Sequence, residues 1–405
     1  MSWCEMTLGD AIHIKHGFAF KSKLFADSGK YIVLTPGNFY EIGGFRPRPG
    51  KDRYYSCDPP EGFILESGSL IVAMTEQGPG LLGSSAIIPR GDTYLHNQRL
   101  GLIDEIDENS LSLNYLYYLF NTYEVRSQIS SSASGVKVRH TSPDRIYRVK
   151  VSVPSVNNQE KIASILACYD DLIENNRRRI QLLEESARLL YKEWFVRLRF
   201  PGHEHVKIVD GVPEGWKKET AWDVMEVLSG GTPKTNVPEY WDGGIPFFTP
   251  KDTTSHAYVY ETEKTITGEG LKKCNSRLYP KDTVFITARG TVGKINLAQT
   301  TMAMNQSCYA LVANEPLNQH FLYFALVEGV EQFKSRAVGA VFDAIVRDTF
   351  KLIPFLVPAE SAIGAFVDHA SPILRQIDIL STQNRNLAQA RDLLLPRLMN
   401  GEVPV

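Results

Sequence analysis

Nothing in this sequence pairs its cysteines. The five, Cys4, Cys57, Cys168, Cys274 and Cys308, are scattered, odd in number and never spaced as CxxC, so neither a disulfide framework nor a zinc site is indicated and a reducing cytoplasm is the expected setting. A charge excess is missing too: 44 Lys and Arg stand against 46 Asp and Glu, for a formal net charge of −2. Any nucleic-acid surface must therefore be local. The opening MSWCEMTLGD lacks the basic-then-apolar pattern of a secretory signal. No run of eighteen apolar residues is available to cross a bilayer, so the chain reads as a soluble, cytoplasmic protein.

Catalytic motifs are also lacking. Gly78 to Gly83 spells GxGxxG after a strand-like run, but a dinucleotide site needs a helix after the glycines, and the strand-like SSAIIP follows instead. Asp58-Pro59-Pro60 has the start of the DPP[YF] loop of amino methyltransferases, yet Glu61 stands where an aromatic clamp is needed. His203-Glu204-His205 lies in a Pro/Gly linker and is not HExxH. No Ser/His/Asp or paired-carboxylate arrangement can be assembled. The chain is therefore expected to be non-catalytic, with no metal and no cofactor of its own.

What the sequence does contain is a long heptad stretch, Gln159 to Trp194. Its seam runs through Ile162, Ile165, Tyr169, Leu172, Asn176, Ile180, Leu183, Ala187, Leu190 and Trp194 in steps of three and four. A narrow seam on so long a helix needs a partner helix. From Phe366 the spacing recurs through Ala370, Ile373, Ile377, Leu380, Asn384, Leu387, Arg391, Leu394 and Leu398. The plainer reading is two unrelated surface helices. Asn176 and Asn384 are single polar seam residues of the kind that set register, although a tolerated surface Asn reads the same way. Ser371-Pro372 predicts that the second helix restarts there, with Ser371 as its cap.

The rest of the chain is one unit written twice. Thr35-Pro36 answers Thr249-Pro250 at an offset of 214, and Asn97-Gln98 answers Asn305-Gln306 at 208. LYYLF from Leu116 is echoed by FLYFA from Phe321, and Val149, Val151 and Val153 answer Ile353, Phe355 and Val357 at 204. Order is preserved while the offset drifts by loop lengths, which points to an internal duplication of about 200 residues. Each copy is a mixed α/β globule followed by a long helix. The expected boundaries are 1–156 for the first globule, 157–200 for the central helix, 201–357 for the second globule and 358–405 for the C-terminal helix. The polar excursion 43–62 reads as a loop. Antiparallel pairing of the helices would relate the two α/β globules by an approximate two-fold axis.

Polar and basic residues recur in loops at corresponding places. In the first copy they are Lys21, Lys23, Arg46, Arg48, Lys51, Arg53, Thr75 to Gln77, and Lys137, Arg139 and His140. In the second they are Thr232, Lys234, Lys251, Asp252, Arg289, Thr291 and Lys294. Lys and Arg neutralise phosphates, while Gln, Asn, Thr, Arg and Asp on loops read base edges. Singly, each reads equally as a solvated surface residue; the recurrence is the argument. Arg177, Arg178 and Arg179 flank the seam and read as solvated or partner-facing.

GSLIVAMTEQGPGLLG and LHNQRLG in the first copy, with GGTPKTNVPEYWDGGIPFFTPKD and RGTVG in the second, resemble the target-recognition domains of type I restriction-modification specificity subunits. VPSVNNQEKIASIL is similar to that family's first conserved helical region. The resemblance covers essentially the whole chain. It implies that each globule reads one half of a bipartite DNA target, and that the helix pair is a spacer and a docking surface for two methyltransferase subunits. Those partners would supply S-adenosylmethionine and catalysis, and a motor endonuclease subunit using ATP and Mg would join for restriction. One departure concerns the second helix, whose AESAIGAFVDHASPIL lacks the Gln-Glu-Lys start of residues 159–161. Globules held about 35 to 50 Å apart would centre on half-sites roughly 10 to 15 base pairs apart. Unlike loops in the two copies imply unlike half-sites. The competing readings are a self-contained modification enzyme and a coiled-coil scaffold joining two protein-binding domains.

Overall fold

A computed structural model describes residues 3–48, 50–78, 80–336 and 344–405, and the chain divides into two units. Met1–Ile173 with Asn386–Val405 form the first, and Glu174–Arg385 the second. Each of the two long helices thus contributes to both units.

In the first unit, β1 (Trp3–Thr7) pairs antiparallel with β8 (Lys150–Pro154). The central sheet places β2 (Ile12–His16), β7 (Leu100–Ile106), β4 (Leu70–Ala73) and β5 (Ser85–Ile87) side by side, all antiparallel. A second sheet is built on β3 (Tyr31–Val33) and β6 (Thr93–Leu95), which run parallel. The excursion 43–62, expected to be a loop, contributes a short strand, Tyr54–Tyr55, to that sheet, because the two tyrosines pair with Tyr31 and Ile32 on one side and with Phe25 and Ala26 on the other. Helices α1 (Leu113–Phe120) and α2 (Tyr123–Ser132) bury Tyr115, Leu116, Leu119, Val125 and Ile129 in the core.

The second unit repeats the main strands of this plan, with one strand more (Tyr258–Val259) in its central sheet and two fewer in the other. β9 (Lys217–Thr220) pairs with β16 (Pro354–Val357) as β1 does with β8. β10 (Met225–Ser229), β15 (Cys308–Ala313), β12 (Val284–Thr287) and β13 (Ile295–Ala298) follow in the order of the first sheet. β11 (Trp241–Phe248) runs parallel to β14 (Ala303–Met304), as β3 does to β6. The likeness reaches single hydrogen bonds. Asn38 Oδ1 accepts from the Thr35 amide at 3.0 Å, and Asp252 Oδ2 accepts from the Thr249 amide at 2.7 Å, so both T-P turns are closed by the same reciprocal cap. Asn97 Oδ1 takes the Arg99 amide and Asn305 Oδ1 the Ser307 amide, each at 3.0 Å.

The long helices are α3 (Val156–Tyr191), about 54 Å at 1.5 Å per residue, and α5 (Glu360–Met399), about 60 Å, with α4 (Gln319–Ser335) between them in the chain. In the first unit Ile162 and Leu166 share a core with Leu398, and Arg391 is ion-paired with Asp170, which also accepts the Tyr118 hydroxyl at 2.7 Å. In the second unit the partners are reversed: Tyr191 and Trp194 meet Phe366 at ring separations of 5.7 and 6.1 Å. The pairing is therefore antiparallel. Gln159 ties α3 to its globule, accepting from the Ser112 amide and donating to the carbonyls of Ser110 and Pro154, all at 2.9 Å. Just past α3 the chain widens into a π-turn, Lys192–Val196. That widening lets adjacent Trp194 and Phe195 both face the core, which α-helical spacing of about 100° per residue disfavours.

Three details differ from the heptad reading. Ile165 and Leu172 are 37% and 52% exposed, and the buried positions belong to Leu166 and Ile173. Both frames alternate steps of three and four, so periodicity does not choose between them; packing of Leu166 in the first core does. Tyr169, Leu183, Leu190, Ile373, Asn384, Leu387 and Leu394 are half-buried, while Ile162, Asn176, Ile180, Ile377 and Leu380 are buried. Finally, α5 does not restart at Ser371-Pro372 but runs through it from Glu360. Burial of Ile363, Phe366 and Ala370 holds the segment before the proline in helix, and Ser371 Oγ bonds His320 Nδ1 at 2.7 Å instead of capping.

Candidate nucleic-acid interface

Antiparallel pairing brings the ends of β2 and β4 and the starts of β7 and β5 to one end of the first sheet. His16 lies opposite Gly101, Ala73 opposite Leu100, and Val72 opposite Ser85. The loops leaving that end are 17–24, 74–84 and 96–99, and the pair of parallel strands delivers the Thr35 turn beside them, since the Leu34 amide donates to the Leu95 carbonyl. A fifth segment joins them, as Arg139 and His140 pair with Glu76 and Thr75. Lys21, Lys23, Arg46, Gln77, Lys137 and His140 are exposed there, and Arg48 is half-buried over Gly37. In the second unit the equivalent ends carry Thr232, Lys234, Lys251, Arg289, Thr291 and Lys294, all exposed except half-buried Thr232.

Not every candidate is available to a ligand. Arg139 donates to Glu76 Oε1 at 3.1 Å and to Ser130 Oγ at 2.9 Å, and a further bond goes to the Ser130 carbonyl. Its guanidinium is an internal brace. Thr75 is buried and its hydroxyl lies 3.1 Å from His140 Nδ1. Asp252 has both oxygens engaged, one capping Thr249 and the other accepting the Glu263 amide at 2.7 Å. Thr232 is bonded to Gln306, whereas Lys251, 3.4 Å from Glu263 in an exposed pair, stays open to solvent. Residue type and loop position favour all of these as readers, but hydrogen-bonding capacity already spent inside the fold is not open to bases.

The glycine-rich stretch 78–83 has a different use from any cofactor. Glu76, itself buried, reaches along the loop so that Oε2 accepts the amides of Gly80, Leu81 and Leu82 at 3.1, 3.0 and 2.9 Å. Arg126 of α2 secures the carbonyls of two of these residues, Nε donating to Leu82 at 2.8 Å and Nη2 to Gly80. Beneath this end, His96 is fully buried with Nε2 2.9 Å from the Leu100 carbonyl, and burial pushes its pKa down to about 4. Sequence reasoning did not find Arg126, which lies at the end of the first turn of an otherwise ordinary helix; it placed Glu76 among polar loop residues because nothing in one dimension shows its three amide partners.

The sequence profile of the "Type I restriction modification DNA specificity domain" matches residues 2–185 and again 213–389, one match over each copy. The chain belongs to this family. Family membership makes it a DNA-recognition chain that is not itself catalytic. Its relatives include the specificity subunit of the type I restriction enzyme HindI from Haemophilus influenzae, 24% identical over 99% of both chains. The MjaIX specificity subunit from Methanocaldococcus jannaschii is 25% identical over 75% of this chain and 72% of its own. The fold matches the crystal structure of a type I restriction-modification S subunit from M. genitalium with a TM-score of 0.61 at 17% identity, covering 98% of this chain and 96% of that one. As a specificity-family chain it has the mixed α/β, twice-repeated architecture expected from its sequence. Among the described residues no helix is long and apolar enough to cross a membrane.

Proposed function

We propose that this chain is the subunit that chooses the DNA site of a type I restriction-modification complex, reading an asymmetric target in two parts. The observation carrying this is that two units of one topology present different side chains from the same sheet end: Lys21, Gln77, Lys137 and His140 in one, Lys234, Arg289, Thr291 and Lys294 in the other. A shared scaffold with unlike loops reads unlike half-sites. The helix pair acts as the spacer between the two readings and as the surface on which two methyltransferase subunits dock. Those subunits bring S-adenosylmethionine, and the motor endonuclease brings ATP and Mg; this chain supplies neither cofactor. Near-neutral overall charge fits a chain that surrounds DNA only together with partners.

The test is a methylation map from cells carrying the full chain with a cognate methyltransferase. A gapped two-part motif is the expected result, and exchange of residues 1–155 for those of a relative should replace one half of that motif. Modification at a short continuous site would sink the proposal.

A further inference from the structure

The two units close the same hairpin by different means. In the first, the Ala73 amide donates to Ser84 and the Gly83 amide to Ala73; in the second, the Thr287 amide donates to Lys294 and the Gly293 amide to Thr287. Gly83 and Gly293 hold φ of +79° and +80°, and each backs onto the neighbouring helix, against Ile129 and Lys334. Between these common points lie nine residues, 74–82, in the first unit and five, 288–292, in the second. These are structurally equivalent loops of unequal length, and both lie at the sheet end where the candidate readers gather.

Each loop is held by one buried side chain at its start. In the long loop it is Glu76, whose single oxygen gathers three successive amides while Arg126 holds two carbonyls and Arg139 steadies the other carboxylate oxygen. In the short loop it is Thr287, fully buried, whose hydroxyl donates to the Thr291 carbonyl and accepts the Lys294 amide at 2.9 Å. Neither side chain is available to DNA. Both satisfy backbone groups that an irregular loop would otherwise leave to water, and so reduce the loop's conformational freedom before any ligand arrives. The exposed side chains at the two tips, Gln77 in one and Arg289 and Thr291 in the other, are carried on these held backbones.

We infer that Glu76 and Thr287 are the positioning residues of two equivalent reading loops, each setting how sharply its own half-site is discriminated without touching DNA. This rests on the DNA-reading function proposed above. The physical reason is that discrimination between bases depends on donors and acceptors held at fixed positions; a loop that samples several conformations meets wrong bases nearly as well as right ones.

The experiment uses the full chain in complex with a cognate methyltransferase, selecting from a random-sequence duplex library and read by sequencing. Three proteins are compared: wild type, Glu76→Gln, which keeps shape but removes the carboxylate, and Thr287→Val, which keeps volume but removes the hydroxyl. Glu76→Gln should lower base selectivity in one half-site by roughly tenfold and leave the other as in wild type, and Thr287→Val should do the reverse. Equal loss of enrichment at both half-sites, the mark of a merely destabilised chain, overturns the inference. So does a wild-type motif that both variants retain undiminished. A wild-type complex that enriches no gapped motif overturns the DNA-reading function and this inference with it.

Discussion

Gly17 lies against the backbone of Asn97 so closely that a Cβ on it would stand 2.0 Å from the Asn97 carbonyl oxygen, and Gly230 lies against Asn305 in the same way, at 2.2 Å. The obstacle in both cases is main chain, which cannot swing aside as a side chain can. Gly17→Ala and Gly230→Ala should therefore each destabilise the protein by about 3 kcal/mol. Thermal melts of the two variants check this, and Gly244→Ala, where a Cβ meets nothing within 4 Å, is the control expected to change little.

His96 should make stability depend on pH on the acid side. Its folded pKa is pushed down to about 4 from an ordinary 6.5, so the unfolded chain binds the proton more readily than the folded one. Stability is then fully present above pH 6.5 and is lost as pH falls from 6.5 towards 4. The contribution is of order 3 kcal/mol at most. His96→Gln, which can still donate to the Leu100 carbonyl, should flatten the melting-temperature profile between pH 4 and 6.5.

Lys137 and Arg139 are two residues apart and should behave differently. Lys137 is exposed, whereas Arg139 is bonded to Glu76 and Ser130. Lys137→Ala should weaken binding to all duplexes and reduce the slope of log affinity against log salt by about one. Arg139→Ala should lower the melting temperature instead and leave the salt slope unchanged. Titration of the full chain in its methyltransferase complex at several salt concentrations separates the two.

Matched seven-residue insertions in Val156–Tyr191 and Glu360–Met399 should lengthen the unread gap of the methylated motif by about three base pairs, from 1.5 Å per helical residue against 3.4 Å per base step. An unchanged gap would show that the helices do not measure the target.

Features that depend on local chemistry or periodicity were legible in the sequence: the long helices, and the duplication with its drifting offset, marked by the matched Thr-Pro pairs at Thr35 and Thr249. Such signals are written in neighbouring residues, and the second copy repeats them. Loop residues at one sheet end could likewise be nominated, because residue type and loop position are visible in one dimension. The rest was decided by tertiary structure. Ile165 and Leu166 fit the same heptad steps, and only packing in the first unit's core, which Leu398 shares, determines which is buried. Arg139 looks like a DNA ligand until Glu76, 63 residues away, takes up its hydrogen bonds, and Asp252 until the Thr249 turn and the Glu263 amide occupy both its oxygens. Glu76 itself is one more carboxylate in a polar stretch until the fold turns three amides towards it. Periodicity fixes which residues share a face, but a polar group's commitment depends on what the chain brings back to it from elsewhere.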